Sequence, residues 1–332
     1  MATPEGAPLD LWAVLSESKR ILNSHSRHFL ALSVIFLLPL SFSLIVYPTL
    51  QELINDSFTS PTSKILLRFS FQDQLITKNT IFFPLIYSFF VLVFSLCALG
   101  TITYSVFHGF YGRPVKLISA MKSLFTSLFP LLITVIVSQI IVSLITLVFG
   151  ILVYLVIRGI ELLGFRFEYS SPYFIGFCAI FVLALLFVLV YLQVNWTLVA
   201  VIVVVESSWG LEPLRRSTSL VKGMKGVALS SLLFFGFLAG FLVWISSVST
   251  MAQEGTNDWW KSWAFVVQIV FTSTSLMLLL LYNTAANTVL YMYCKAIHGE
   301  LALEIAQEFA REYVSLPFDD EKIPHVVSVS HV

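Results

Sequence analysis

Side chains that could carry catalytic chemistry are sparse and widely separated in this chain. None of its six histidines belongs to a His-Glu-x-x-His metal motif, and no Gly-x-Ser-x-Gly nucleophile elbow or glycine-rich phosphate-binding loop is present. We therefore predict a protein that is not an enzyme, with no catalytic, cofactor-binding or metal-binding residues. The alternative is an active site assembled from interfacial residues far apart in sequence, such as His108, Glu206 and His298.

The overall composition is that of a membrane protein. Hydrophobic residues make up 58% of the 332 residues and charged residues only 11%, which leaves too little polar surface to cover a soluble globule. The formal net charge is zero, so we expect no nucleic-acid partner. Cys97, Cys178 and Cys294 show no CxxC spacing, which favours isolated buried thiols. Palmitoylation of Cys294, at the end of the last apolar run, is the alternative.

Six apolar runs predict an all-α, polytopic integral membrane protein. Each reaches the roughly 20 residues that a helix needs to cross a bilayer, and none contains Asp, Glu, Lys or Arg in its core. The runs cover residues 29–47, 81–107, 130–157, 173–205, 227–248 and 264–293. The fourth is longer than a bilayer requires, so its helix either tilts strongly or leaves the membrane in its last turns. The chain then divides into an N-terminal segment (1–28), a membrane domain (29–293) and a C-terminal segment (294–332).

The distribution of basic residues predicts the orientation. Six spans place both termini on one side, and that side carries 13 of the 19 Lys and Arg residues. The positive-inside rule therefore places both termini in the cytosol, in the endoplasmic reticulum, another endomembrane or the plasma membrane. Asn55 begins an Asn-x-Ser glycosylation sequon, which this topology places on the lumenal side.

The most basic stretch joins the fourth and fifth runs, and we call residues 205–226 the elbow. At helical spacing, Leu214, Ser217, Leu220, Val221 and Met224 share one face of the elbow, and its cations lie opposite. A basic amphipathic helix between two spans is expected on the bilayer surface, in contact with anionic cytosolic lipids. The residues predicted to meet lipid headgroups are Arg113, Lys116, Lys122, Arg215, Arg216, Lys222 and Lys225.

Two further amphipathic segments precede the first and third spans. Residues 9–27 place Leu11, Val14, Leu15, Ser18, Ile21 and Leu22 on one helical face, which predicts an in-plane helix. Residues 114–125 repeat the pattern with a Gly-Arg-Pro entry. Each pair of spans thus starts with a basic surface helix, and either duplication or chance periodicity explains the resemblance among the three units.

The C-terminal segment carries a row of four carboxylates at helical spacing. Glu300, Glu304, Glu308 and Glu312 repeat every four residues, so like charges would face one another along one side of a helix. We predict that this row docks intramolecularly on the basic face formed by Arg215, Arg216 and Lys222. The alternative is a solvated acidic face.

The chain resembles two known membrane families, one over the elbow and one over its full length. The elbow is similar to a stretch of the membrane domain of some bacterial glycerophosphodiester phosphodiesterases, on the residues Glu206, Gly210, Leu214–Ser217, Leu220, Lys222 and Gly223. Over its full length the chain resembles plant six-span proteins, some labelled as binding a poly(A)-binding protein, on LWAVLSESKRILNSHSRHFLALS and LLPLSFSL. The resemblance implies an endomembrane or plasma-membrane residence and supplies no catalytic residues.

The sequence favours a non-enzymatic scaffold or adaptor in membrane trafficking or lipid organisation. The alternative is a transporter of a neutral or lipid-like solute. Transporters usually carry ionisable groups near the midplane. The strongly polar residues within the spans of this chain are amides, whose presence interhelical hydrogen bonds also explain. These amides are Gln139, Gln193, Asn195, Gln268, Asn283 and Asn287.

Overall fold

The structure, a computed structural model, describes residues 10–59, 72–113, 116–162, 172–253 and 263–306. These residues are helical or lie in turns, with no strand in the described ranges. Within these ranges there are ten α-helices, numbered here in chain order: α1 Leu11–Ser24, α2 Ser26–Leu32, α3 Leu38–Thr59, α4 Gln72–Phe110, α5 Leu117–Leu162, α6 Pro172–Asn195, α7 Val199–Glu206, α8 Glu212–Leu220, α9 Lys225–Gln253 and α10 Trp263–Ile297. A further helical segment, residues 300–306, follows α10.

Six stretches of these helices are long and apolar enough to cross a membrane, so the predicted all-α, six-span architecture is confirmed. They are Ser26–Pro48, Phe82–Phe110, Leu117–Leu162, Phe174–Glu206, Lys225–Val248 and Trp263–Ile297. The lengths exceed what a bilayer demands: α5 has 46 residues, about 69 Å at the usual helical rise. Part of each long helix therefore extends beyond the roughly 30 Å hydrocarbon layer.

The first span contains Pro39, and its helix is irregular just before that residue. A π-helical turn, Ser33–Leu37, joins α2 to α3, and the N–H of Leu38 donates to the carbonyl of Ser33. The wider turn makes room for a proline ring that would otherwise clash one turn back. The apolar span ends at Pro48, close to the predicted residue 47, while its helix α3 continues to Thr59. A proline inside a span removes one hydrogen bond without stopping the helix.

The third and fourth spans also depart from the predictions. The amphipathic segment before the third span is not a separate surface helix, because α5 runs unbroken from Leu117 through Pro130. The long fourth run is two helices: α6 ends at Asn195, turns at 196–198, and restarts as α7 at Val199. The break is stabilised from outside the run, since the Ser217 hydroxyl donates to the Asn195 carbonyl at 2.6 Å.

Packing is concentrated at one end of the helices, which we call the packed end. Apart from Phe265, the buried apolar side chains of the described residues lie within 14–45, 96–131, 194–235 and 276–294. By contrast, the most apolar windows of the third and fourth spans bury none of their residues. Large apolar side chains exposed in this way need lipid or other protein around them. The fold is thus a compact helical body at one end and lipid-accessible helices at the other.

Candidate functional site

The elbow is held against the packed end by its own apolar face. After Glu206 the chain reverses through Ser207, whose φ is 53°, and Gly210, whose φ is 78°. The Gly210 N–H donates to the Thr134 hydroxyl at 3.1 Å, which fixes the reversal against α5. The residues predicted to share the apolar face of the elbow are all buried, namely Leu214, Ser217, Leu220, Val221 and Met224.

This burial corrects the prediction that the apolar face of the elbow rests on the bilayer. Leu220 and Val221 belong to the same core cluster as residues of α4 and α10, so their contacts are with protein. The elbow is amphipathic, as predicted. Amphipathic spacing is the same, however, whether the apolar side of a helix meets lipid or a protein core. The amphipathic α1 behaves alike, because it buries Val14, Ser18, Ile21 and Leu22.

Arg216 lies between two carboxylates from distant parts of the chain. Its Nε is 3.4 Å from Glu206 Oε2 at the end of α7, and its guanidinium also pairs with Glu300 after α10. These side chains are about one quarter to one third exposed, so the pairs are partly shielded from water. The hydrogen bond from Arg216 to Glu300 is the main cause of the raised pKa of Arg216, and the guanidinium stays charged at physiological pH.

Tyr291 connects this pair of contacts to the last span. Its ring is fully buried, and its hydroxyl donates to Glu206 Oε1 at 2.8 Å. One helical turn later, the ammonium of Lys295 pairs with Glu304 at 2.7 Å and lies 5.6 Å from the centroid of the Tyr291 ring. We call the resulting set the charge network: Glu206, Arg216, Tyr291, Lys295, Glu300 and Glu304.

The charge network brings together some of the residues predicted to dock and leaves others apart. Glu300 meets Arg216, but Glu304 meets Lys295 instead of the elbow. Arg215 and Lys222 point away and are exposed. Glu308 and Glu312 lie outside the described residues.

The remaining cations predicted at the membrane surface occupy the outside of the packed end. Arg113, Lys116 and Lys122 are exposed. Lys225 is half-buried, with its ammonium 5.5 Å from the centroid of the Tyr191 ring, a distance at which a cation attracts an aromatic face. The backbone of Asn55 belongs to α3, and the structure does not describe its side chain.

Sequence analysis missed two members of the charge network, Tyr291 and Lys295. Tyr291 was assigned to the end of the sixth apolar run and Lys295 to the start of the C-terminal segment, yet their spacing of four residues places them on one helical face. The apolar context of Tyr291 was the available signal, since a buried tyrosine hydroxyl usually finds an acceptor. Nothing local indicates that this acceptor is Glu206, which lies 85 residues away in sequence.

No hydrogen bond or ion pair of the described residues joins His108, Glu206 and His298, the residues of the alternative active site. Nδ1 of His108 lies 3.1 Å from the Tyr104 carbonyl and Nδ1 of His298 lies 2.7 Å from the Cys294 carbonyl, each four residues earlier in the chain. Glu206 is engaged by Tyr291 and Arg216. Within the described ranges, no three His, Cys, Asp or Glu side chains form a group that could hold a metal ion.

Comparison with known proteins assigns the chain to a family but not to an activity. No curated protein and no solved structure matched the sequence. One family model, described as Domain of unknown function (DUF8558), matches residues 5–320. Because that match covers nearly the whole chain, including all six spans and the charge network, the protein is a member of the DUF8558 family.

Proposed function

We propose that this protein is a non-enzymatic membrane scaffold that binds other proteins through the cytosolic surface of its packed end. The observation that carries the proposal is the arrangement of α8 and the turn after it: their apolar face packs into the protein core, while Arg215 of α8 and Lys222 of the turn are exposed. The charge network anchors α8 to α10. Exposed cations on a helix that packs against the protein core suit recognition of an acidic partner surface.

The bias of basic residues supports a cytosolic packed end in an endomembrane or plasma membrane. Arg113, Lys116 and Lys122 would extend the cationic surface on the same side. Anionic lipids of the cytosolic leaflet would meet these side chains wherever protein partners do not.

Proximity labelling of the full chain tests the scaffold directly. A biotin ligase fused to the C-terminus is compared in the wild type, in Arg215→Glu with Lys222→Glu, and in a charge-conserving control, Arg215→Lys with Lys222→Arg. We expect the charge-reversed protein to lose a discrete set of labelled neighbours that the control keeps, at equal abundance and localisation. An identical set of neighbours in all three proteins would refute the scaffold proposal.

One observation favours transport of a neutral or lipid-like solute as a second candidate function. Along one face of α5, the polar or small residues Gln139, Ser143, Thr146, Gly150 and Tyr154 line an open groove of about 690 Å³, together with Val142, Leu147 and Ile151. In the lipid-accessible half of a span, such a stripe would offer hydrogen bonds to a passing headgroup. Reconstitution in liposomes with a fluorescent phospholipid distinguishes a transporter from a scaffold. Faster exchange of the lipid between leaflets, lost in the double variant Gln139→Leu with Ser143→Leu, would support transport. Exchange at the rate of protein-free liposomes would exclude it.

A further inference from the structure

A second cavity lies between α9 and α10, where the packed end meets the lipid-accessible helices. Its volume is about 580 Å³, within the range of small-ligand pockets. We call it the α1 groove, because two residues of α1 line it together with the two spans. Its lining consists of Leu15, Lys19, Phe234, Phe235, Leu238, Phe241, Leu242, Ser275, Leu278, Leu279 and Tyr282.

The walls of the α1 groove follow from helical spacing on two neighbouring spans. On α9, Phe234, Leu238 and Phe241 recur every three or four residues, and on α10 Ser275, Leu278 and Tyr282 do the same. From Ser275 to Tyr282 the wall extends about 10 Å along the helix axis. The two spans thus form a short apolar channel rich in phenylalanine, and Phe241 is 47% exposed on its outer side.

The polar groups of the α1 groove are few and include a single cation. Lys19 of α1 and the phenol of Tyr282 both line it. Nearby on α1, Arg20 and Glu17 neutralise each other at 2.5 Å. Lys19 is exposed and has no ion pair among the described residues, so its charge is uncompensated beside an apolar wall.

We propose that the α1 groove binds one anionic phospholipid, with its phosphate on Lys19 and Tyr282 and an acyl chain between α9 and α10. Charge complementarity selects this occupant: a cation and a hydroxyl at an apolar channel match the phosphate and hydrocarbon of a single amphiphile. The burial of α1 against α10 gives Lys19 a fixed position. The site is separate from the scaffold surface, since Arg215 and Lys222 do not line it.

Native mass spectrometry of the purified full chain tests the site. The protein is exchanged from detergent into mixtures of phosphatidylglycerol and phosphatidylcholine, and bound lipid is read from the mass. We expect one tightly retained lipid per chain, with phosphatidylglycerol favoured about fivefold, because one lysine near the membrane surface contributes that much preference. Equal retention of both lipids, no retained lipid, or a mass of two chains without lipid would each overturn the proposal.

Matched variants separate the headgroup contact from the acyl channel. Lys19→Ala should lose the fivefold preference, whereas Arg27→Ala, which removes another exposed cation near the N-terminus, should keep it. Leu238→Trp should fill the channel and prevent retention of both lipids. Phe237→Trp, one residue earlier and 72% exposed, should retain the lipid as the wild type does.

A folded-state check makes these outcomes decisive. Each variant must give the wild-type elution volume in size-exclusion chromatography before its lipid is measured. Unchanged preference in Lys19→Ala would refute the headgroup contact, and unchanged retention in a folded Leu238→Trp would refute the channel. The scaffold experiment uses different residues, so either proposal can fail without the other.

Discussion

Arg216 is the residue on which the attachment of the elbow depends. Its two carboxylate partners come from distant parts of the chain, Glu206 from the end of α7 and Glu300 from the segment after α10. The adjacent Arg215 carries the same charge but is exposed. Neighbouring arginines therefore have different roles because one helical position faces the body of the protein and the next faces away from it.

Replacing Arg216 should destabilise the protein far more than replacing Arg215. Arg216→Gln leaves two partly buried carboxylates without their shared cation, and we expect the free energy of unfolding to fall by about 2 kcal/mol. Arg215→Gln should change it by no more than about 0.5 kcal/mol. Thermal unfolding in detergent micelles, followed by tryptophan fluorescence, measures the difference. Equal midpoints for the two variants would contradict the contacts assigned to Arg216.

The identity of the residues in the charge network was only partly predictable. The row of carboxylates and the basic face were visible in the sequence, because both follow a helical period. Docking between the two sets was predicted, but not that Arg216 and Glu300 would be the pair, since 84 residues separate them and no local pattern selects one cation of the face. The apolar surroundings of Tyr291 indicated that its hydroxyl needs an acceptor, but they did not indicate which residue accepts.

At the scale of elements, the break between α6 and α7 determines where the elbow can sit. Asn195 ends α6, and its carbonyl accepts a hydrogen bond from Ser217 of α8. Ser217 is fully buried, so this bond joins two elements where water does not compete. The turn at 196–198 and the elbow therefore stabilise each other.

Removing the Ser217 hydroxyl should loosen this junction. Ser217→Ala leaves the Asn195 carbonyl with one fewer donor in a buried position, at an expected cost of about 1 kcal/mol. Ser219→Ala is the matched control, because Ser219 is exposed and bonds only within its own helix, to the Arg216 carbonyl. Hydrogen exchange should accelerate in residues 196–206 of the first variant and remain unchanged in the second. Faster exchange in both variants, or in neither, would rule out the junction.

The docking of α1 is a second element-scale contact that can be tested. Ile21 is buried, and its Cγ2 lies 3.1 Å from where a Cβ on Gly109 of α4 would be. Glycine thus permits the close approach of α1 to α4. Ile21→Ala should lower the free energy of unfolding by about 2–5 kcal/mol, detected as a lower thermal midpoint and faster hydrogen exchange in α1.

Leu30 provides the control for the docking of α1. It is 60% exposed on α2, so Leu30→Ala removes a similar side chain without opening a cavity. Its midpoint should stay close to that of the wild type. If Leu30→Ala were as destabilising as Ile21→Ala, the effect would reflect general loss of apolar surface and not the docking of α1.

For the whole molecule, the unequal packing of the two ends is the main finding. Buried side chains concentrate at the packed end, whereas the outer parts of α5 and α6 expose large residues such as Ile140, Leu144, Leu183 and Phe187. Lipid is as apolar as these side chains, so spans gain little by packing together in the hydrocarbon layer. Charged and polar segments outside that layer need a conventional protein core, which the packed end provides.

The orientation of the whole molecule is open to a direct test. Cys97 and Cys294 are buried, so replacing the more accessible Cys178 by serine leaves an added cysteine as the main site of labelling. An impermeant maleimide should label Lys222→Cys in intact microsomes, whose outer face is cytosolic, but should reach Trp263→Cys only after detergent is added. A glycan removed by endoglycosidase and lost in Asn55→Gln would agree. The reverse labelling pattern would invert the topology.

The sequence by itself determined the helical class, the six spans and the apolar faces of α1 and α8, because each depends on local composition and period. Only the tertiary structure decided that those faces meet protein, that the fourth run breaks at 196–198 and that Arg216 joins Glu206 to Glu300. The physical reason is that amphipathicity records how apolar a face is but not what covers it. Long-range pairing follows from the packing of whole helices, which no short window of sequence contains.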